Sequence, residues 1–395
     1  MGRKKSILDK KITRREFVKK GLIIAAGIGI GAYTISSFLN SYKPLSSTFK
    51  NDAPSTIWKW SKEAYHYTKL GENVQCNVCP NQCILEENER SVCRNKVNKG
   101  GKLYTLTYGN PCAVHVDPIE KKPLFHYLPG TLSFSIATAG CPFRCLNCQN
   151  WEISQSKPED TQNIEMFPED VVRNALNYSC ASIAYTYSEP VAFYEYMYDT
   201  SKIAKAYGIK NLWITNGSIN EESLRDLCKY IDAANVDLKS FKEEIYNKLN
   251  GGRLQPILNT LKILKEEKKW FEITNLVIPT YTDDMEMIRE MCEWIVRNIG
   301  RDYPLHFSRF HPHYKLSHLS PTPVKTLENA RKIAKEVGLK FVYIGNVPGH
   351  EGANTYCPRC EKILIERKGY SILQNNIEND GCKFCGEKIS GVWKL

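Results

Sequence analysis

Eleven of the fifteen cysteines fall into three clusters whose spacing suits metal binding. The most informative cluster lies in AGCPFRCLNCQN, where Cys141, Cys145 and Cys148 form a Cys-x3-Cys-x2-Cys loop. Three thiolates in a short loop suit an iron-sulfur cube better than zinc, because a structural zinc would require a fourth protein ligand. One iron of such a 4Fe-4S cluster would stay open and could chelate the amino and carboxylate groups of a methionine-like ligand.

A second cluster lies near the carboxyl terminus and consists of two Cys-x-x-Cys knuckles, Cys357 with Cys360 and Cys382 with Cys385. Paired knuckles supply the four thiolates that tetrahedral zinc needs. We expect a zinc-ribbon or rubredoxin-like module here, with zinc favoured over iron.

A third cluster precedes the loop and contains Cys76, Cys79, Cys83 and Cys93. Four thiolates this close together indicate a metal site, but their spacing does not choose between zinc and an auxiliary iron-sulfur cluster. A structural role that orders the amino-terminal part of the protein is the favoured interpretation.

The elements that position these residues follow from the alternation of apolar runs with amphipathic stretches. Seven strands are predicted, at residues 133–139, 182–187, 211–215, 234–238, 271–278, 304–310 and 339–344. Helices are predicted between them, including residues 168–178 and 284–300. This alternation predicts an α/β fold with parallel pairing, specifically a partial (β/α) TIM-like barrel. Its chemistry would lie at the carboxyl ends of the strands.

An ordered series of motifs makes the sequence recognisable: HVDPIEKKPLFHYLPG, TAGCPFRCLNCQNWEIS, IAYTYSEP, ITNGS, NVDLK, HFSRFHP and YIGNVPG. The cysteine loop after the first strand resembles the radical S-adenosylmethionine (SAM) superfamily. The whole series is similar to the radical enzyme of the AmmeMemoRadiSam system, within the group of pyruvate formate-lyase activating enzymes. The DPIEKKP part of the first motif is expected to pack beside the barrel entrance.

The resemblance implies roles for individual residues. Cys141, Cys145 and Cys148 would ligate three irons of a 4Fe-4S cluster, and the fourth iron would hold SAM. Asn147 and Gln149 flank the third cysteine and are expected to contact the cofactor. Asn147 stands where most members carry an aromatic residue against the adenine, so Phe143 is the candidate for that contact.

Further cofactor contacts are expected at the ends of later strands. Ser188 and Glu189 match the end of a Gly-Gly-Glu segment that meets the methionine amino group. Asn216 is expected at the mouth of the barrel, and Asp237 and Lys239 match an Asp-x-Lys of the activating enzymes. His311 stands where those enzymes use a histidine beside the cofactor. This list of contacts rests on the resemblance.

The activity that the resemblance implies is reductive cleavage of SAM to a 5'-deoxyadenosyl radical, which abstracts hydrogen from a substrate. The substrate is unidentified and could be a protein, as for the activating enzymes. An external electron donor is required, and AmmeMemo-type partner proteins are expected. The cleavage step needs no general base, so no Ser-His-Asp triad is assigned.

The first 20 residues hold nine basic and two acidic side chains, a local balance of +7 in a chain of net charge +11. TRREFVKKG precedes an uncharged run at residues 21–42, a pattern that resembles a twin-arginine signal followed by a membrane anchor. The charge rule places the following residues outside the cell, whereas SAM chemistry requires the cytoplasmic face, so the side stays open. The remaining +4 leaves no nucleic-acid partner expected.

The motifs divide the chain into five predicted segments: a basic segment with its anchor, a linker, a Cys-rich amino-terminal lobe, the radical SAM barrel and the four-Cys module. Their predicted bounds are 1–43, 44–70, 71–131, 132–349 and 350–395. Two other functions compete with the radical enzyme. One is a membrane-tethered iron-sulfur electron-transfer or metal-scaffold protein, and the other is a nucleic-acid-binding ribbon protein.

Overall fold

The structure is a computed structural model that describes residues 53–395, so the basic segment and anchor predicted at residues 1–43 lie outside the described residues. No helix within residues 53–395 is both long and apolar enough to cross a bilayer.

The amino-terminal lobe contains six short strands in two three-stranded sheets, ordered β1-β6-β5 and β2-β3-β4. The strands are β1 (Lys62–Glu63), β2 (Tyr67–Leu70), β3 (Asn73–Cys76), β4 (Ile84–Leu85), β5 (Lys96–Lys99) and β6 (Lys102–Thr105). The described part of the predicted linker, residues 53–70, carries a short helix at Ser55–Trp58 as well as β1 and β2. Trp58 is buried against Tyr104, so this stretch packs into the lobe.

The central sheet has eight strands in sequential order from β7 to β14. They are β7 (Ala113–Pro118), β8 (Leu132–Ala137), β9 (Ser182–Tyr185), β10 (Lys210–Thr215), β11 (Ala233–Asp237), β12 (Trp270–Val277), β13 (Leu305–Arg309) and β14 (Val342–Gly345). Strands β8 to β14 pair in parallel, as predicted, and β7 pairs antiparallel with β8. A TIM-like barrel is not confirmed, because β7 and β14 are the two edges of the sheet.

Six longer helices connect the parallel strands. They are α1 (Pro168–Asn177), α2 (Tyr194–Ala206), α3 (Glu221–Cys228), α4 (Leu254–Glu266), α5 (Met285–Asn298) and α6 (Val324–Val337). Helix α5 begins where the Asp284 carboxylate accepts hydrogen bonds from the backbone of Glu286 (3.0 Å) and Met287 (3.5 Å). The buried side chains of α5 recur at helical spacing, which is the pattern that predicted the helix.

Short helical segments complete the part of the chain that the structure describes. Four-residue and shorter turns lie at Trp151–Ser154, Glu243–Ile245, Ile119–Lys121, Pro158–Asp160, Pro190–Phe193, Tyr314–Leu316 and Glu351–Ala353, and one π-helical turn lies at Tyr246–Asn250.

The carboxyl-terminal region forms a three-stranded sheet, β15-β16-β17, and a two-stranded one. The strands are β15 (Thr355–Tyr356), β16 (Ile363–Lys368), β17 (Ser371–Asn375), β18 (Ile377–Glu378) and β19 (Gly381–Cys382). Apolar side chains of this region pack on Phe341 and Tyr343 at the β14 edge of the central sheet. Arg367 of β16 also joins this region to Phe125, which lies between β7 and β8. The Arg367 guanidinium lies 4.1 Å from the ring centre of Phe125 and donates to the Phe125 carbonyl at 2.8 Å.

Candidate active site

A cleft of about 530 Å³ opens at the carboxyl ends of the parallel strands. Such clefts are the usual ligand sites of open α/β sheets. Ten of the twelve predicted cluster and cofactor residues line it: Cys141, Cys145, Cys148, Asn147, Gln149, Ser188, Glu189, Asn216, Asp237 and Lys239. The fold therefore brings together residues that are up to 98 positions apart in the chain.

The cysteine loop follows β8 directly, and polar hydrogens surround its sulfur atoms. The Asn250 side-chain amide donates to Cys145 Sγ at 3.3 Å, and the Ser154 hydroxyl lies 3.1 Å from Cys148 Sγ. Burial raises the pKa of Cys145 and raises that of Cys141 well above the usual range. Half-buried thiols facing one cleft fit an iron-sulfur cluster, because bound iron offsets the cost of desolvating thiolates.

The side chain of Asn147 is a second feature of the cleft that suits a bound molecule. Its side chain is buried and lines the cleft, and within the described residues its Oδ1 atom has no hydrogen-bond partner. An unpaired buried carbonyl oxygen costs free energy unless a ligand donates to it. An amino group, such as that of adenine, would satisfy this acceptor.

Glu189 presents a buried carboxylate at the end of β9. Its Oε1 accepts from the Thr215 hydroxyl at 2.7 Å, and its Oε2 accepts from the Asn216 backbone N–H at 2.7 Å. Burial raises the pKa of Glu189 to about 7, although these donors favour the ionised form. The carboxyl group therefore ionises near neutral pH, and its carboxylate can accept a hydrogen bond from an incoming amino group.

We expect SAM binding to tighten about tenfold between pH 6 and pH 8, because a carboxyl of pKa about 7 is mostly neutral at the lower pH and mostly ionised at the higher. Calorimetric titration of the reconstituted protein measures the change. The Glu189→Gln variant is the control, since its side chain does not titrate. An equally steep pH dependence in the variant would assign the effect to another group.

Asp237 and Lys239 form an ion pair at the end of β11, with Lys239 Nζ 2.6 Å from Asp237 Oδ2. Burial disfavours the ammonium form, but Asp237 and the neighbouring Cys145 thiol raise the pKa of Lys239 above its usual value. Lys239 is therefore a fixed positive charge beside the cysteine loop, where it favours an anionic cluster.

Tyr187 occupies a position where the superfamily's Gly-Gly-Glu segment carries glycine, and it adopts a left-handed backbone with φ 65°. Its hydroxyl donates to Asp117, and its carbonyl accepts from Asn150 Nδ2 at 2.7 Å. The contacts to Asp117 of β7 and to Asn150 thus hold Tyr187 in a left-handed conformation that a non-glycine residue adopts at a cost.

Lys121, Lys122 and Pro123 also line the cleft, which confirms that the DPIEKKP segment packs at its entrance. The ammonium of Lys122 is buried and lies 2.6 Å from Asp117 Oδ2, whereas Lys121 contacts the same carboxylate at 2.9 Å from a more exposed position. Burial lowers the pKa of Lys122 to about 8, against the effect of Asp117.

Replacing Asp117 by Asn is expected to destabilise the protein by about 3 kcal/mol, because it leaves the buried Lys122 ammonium without a carboxylate. Lys121→Met is the matched control, since it removes an exposed contact to the same carboxylate and should cost less than about 1 kcal/mol. Denaturant unfolding of both variants provides the comparison. Equal losses would contradict the role of the buried pair.

Two expected contacts lie elsewhere. His311 follows β13 and is exposed, with Nε2 3.4 Å from the Asn346 carbonyl, and it does not line the cleft in the described chain. Phe143 is buried and packs on Gly252 and Tyr246, away from the cleft lining. The role of His311 therefore stays a prediction that this geometry does not support.

Sequence reasoning missed Tyr370, which reaches the cleft from the turn between β16 and β17. No local signal marks this residue, because only the packing of the carboxyl-terminal sheet on β14 carries the turn to the cleft. Asn346, just after β14, also lines the cleft and belongs to the YIGNVPG motif.

The four carboxyl-terminal cysteines converge as a metal site would require. Their Sγ atoms all lie within 4.8 Å of one another, and two pairs measure 3.6 Å (Cys357 to Cys385) and 3.7 Å (Cys360 to Cys382). Two thiolates bound to one zinc at about 2.3 Å in a tetrahedron lie about 3.8 Å apart. This group could therefore bind a metal such as zinc.

The family model of the Radical SAM superfamily matches residues 135–295 of this chain. An uncharacterized protein of Methanocaldococcus jannaschii (MJ0808) is 49% identical over 334 residues, which cover 84% of this chain and 99% of that protein. The chain belongs to the Radical SAM superfamily. Membership supports an enzyme and implies a 4Fe-4S cluster and SAM.

More distant relatives include pyruvate formate-lyase 1-activating enzyme of Escherichia coli (strain K12). It is 25% identical over 221 residues, which cover 52% of this chain and 89% of that enzyme. The crystal structure of a radical SAM methyltransferase from Sphaerobacter thermophilus superposes with a TM-score of 0.45 at 10% identity, covering 79% of this chain and 81% of that one. The sequence match to the Escherichia coli enzyme shows homology to pyruvate formate-lyase activating enzymes.

Proposed function

We propose that this protein is a radical SAM enzyme that abstracts hydrogen from a protein substrate, as an activating enzyme does. Bound at the open iron of a 4Fe-4S cluster and reduced by one electron, SAM would supply methionine and a 5'-deoxyadenosyl radical. A low-potential external donor would provide the electron. An AmmeMemo-type partner protein is the first candidate for the substrate, on the strength of the motif series.

Different residues of the cleft would bind the cluster and the cofactor. Cys141, Cys145 and Cys148 would ligate three irons, and Lys239 would balance their negative charge. Glu189 would accept a hydrogen bond from the methionine amino group, and the unpaired Asn147 Oδ1 would accept one from the adenine amino group.

The observation that carries the proposal is the convergence of three half-buried thiols, a buried carboxylate and an unpaired amide oxygen on one cleft. Each group matches a different part of one ligand on an iron-sulfur cluster. A membrane-tethered electron carrier would require the cysteines but would have no use for Glu189 or Asn147.

Deuterium transfer tests the proposal. The reduced, reconstituted enzyme is incubated anaerobically with SAM and deuterated candidate proteins, including AmmeMemo-type partners. The proposal predicts deuterium in 5'-deoxyadenosine with one class of substrate. Formation of 5'-deoxyadenosine without transfer from any protein, but with transfer from a small molecule, would contradict the protein substrate.

We further propose that residues 21–42 hold the enzyme at a membrane, with the side open. Protease treatment of intact cells distinguishes the sides, because cleavage of residues 50–395 without lysis would exclude the cytoplasmic face. Release of the full-length protein into the soluble fraction at low salt would contradict membrane association altogether.

A further inference from the structure

The amino-terminal cysteines, which the proposed reaction does not use, converge in the lobe beside the cleft. Cys76 ends β3, and its N–H donates to the Cys83 carbonyl at 2.9 Å. Cys76 and Cys93 are buried, and Cys79 and Cys83 are half-buried. Four thiols so placed need a cation to become thiolates.

The spacing of these thiols differs from that of the carboxyl-terminal group. Among the described residues, only the group of Cys357, Cys360, Cys382 and Cys385 brings its ligand atoms within 4.8 Å of one another, as one zinc ion requires. Within residues 53–395, neither the amino-terminal four nor the set of Cys141, Cys145 and Cys148 forms a group that close together. A cube of four irons places each thiolate on a separate iron and therefore needs such wider spacing.

The amino-terminal group also touches the catalytic loop directly. Gly140, which precedes Cys141, leaves so little room that a Cβ there would lie 2.4 Å from the Cys93 carbonyl oxygen and 2.4 Å from Asn95 Oδ1. Asn95 Nδ2 donates to the Ala139 carbonyl at 2.6 Å. Only a glycine allows the two cysteine segments to meet this closely.

A buried cation accompanies the group. Lys96 is 1% exposed, and its Nζ lies 2.6 Å from the Glu195 carboxylate. Lys96 follows Cys93 by three residues in the chain, so this buried ion pair belongs to the segment that carries the fourth proposed ligand.

We propose that Cys76, Cys79, Cys83 and Cys93 hold a second iron-sulfur cluster, of the 4Fe-4S type, next to the loop of the catalytic cluster. This site goes beyond the proposed function and does not depend on the substrate.

The test uses the full-length protein carrying Cys141→Ala, Cys145→Ala and Cys148→Ala, reconstituted anaerobically with iron and sulfide in the presence of zinc. We expect about four iron and four sulfide per chain, one zinc, and an electron paramagnetic resonance signal of a reduced cluster after dithionite treatment. Adding Cys79→Ala and Cys93→Ala should remove the iron and the signal while the single zinc remains, which shows that the carboxyl-terminal region is still folded.

Two zinc ions per chain without iron in the triple variant would overturn the proposal, as would iron that persists after Cys79 and Cys93 are replaced. Failure of the proposed function is distinguishable, because it would appear as a wild-type protein that binds about eight iron but forms no 5'-deoxyadenosine.

Discussion

Replacement of Cys145 by alanine is expected to abolish the catalytic cluster and lower the rate of 5'-deoxyadenosine formation to about one thousandth or less, a barrier increase of about 4 kcal/mol. Within residues 53–395, three thiols line the cleft, so the loss of one leaves a cube with two protein ligands. The Asn250 side-chain amide, which donates to this sulfur, would also lose its acceptor. Product chromatography under anaerobic reduction measures the rate.

Cys112→Ala is the matched control for this variant. Cys112 is half-buried, as Cys145 is, but belongs to none of the three cysteine clusters. It should leave both the iron content and the product rate near those of the wild type. Undiminished product from Cys145→Ala would mean that the cleft does not hold the reactive cluster.

The second large effect is expected at the carboxyl-terminal cysteines. Cys385→Ala removes one of four converging sulfur atoms and should release one zinc per chain. Structural zinc contributes folding free energy, and a loss of about 4 kcal/mol would lower the melting temperature by roughly 10 °C. Zinc analysis and thermal unfolding measure the two changes, again with Cys112→Ala as control.

This variant should also weaken catalysis, although Cys385 lies outside the cleft. The four carboxyl-terminal cysteines belong to the apolar cluster that packs on Phe341 and Tyr343. The adjoining β16–β17 turn carries Tyr370 to the cleft. A zinc-depleted protein with unchanged stability and unchanged kinetics would show that these cysteines do not anchor the sheet.

The parallel strands could be predicted because each is an apolar run buried on both faces. Strand β8, for example, is buried at five of its six positions, and β9 at all four. The resemblance named the cleft residues, and their positions at strand ends explain why they meet, because parallel strands bring those ends to one edge. The cysteine loop was visible from spacing alone.

Strand β7 could not be predicted in the same way. It contains His115, Asp117 and Pro118, is mostly half-buried, and exists because it pairs with β8 at the sheet edge. The Asp117 contacts to Lys122 and Tyr187 depend on that pairing and were equally hidden. Tyr370 depends on tertiary packing of a remote hairpin, for which no sequence pattern exists.

The unpaired Asn147 oxygen illustrates another limit of the sequence. Its position beside Cys148 identified it as a candidate, but its unmet hydrogen-bond capacity is a property of the folded cleft. Asn147 departs from the superfamily's aromatic pattern, but in the proposed site its side-chain oxygen accepts a hydrogen bond from the ligand.

Reductive cleavage of SAM in the cleft is most directly tested with wild-type protein, reconstituted with iron and sulfide and reduced anaerobically in the presence of SAM. We expect SAM to change the electron paramagnetic resonance spectrum of the reduced cluster, and methionine and 5'-deoxyadenosine to form in equal amounts. An iron-loaded protein whose spectrum does not respond to SAM, and which yields no 5'-deoxyadenosine, would contradict it.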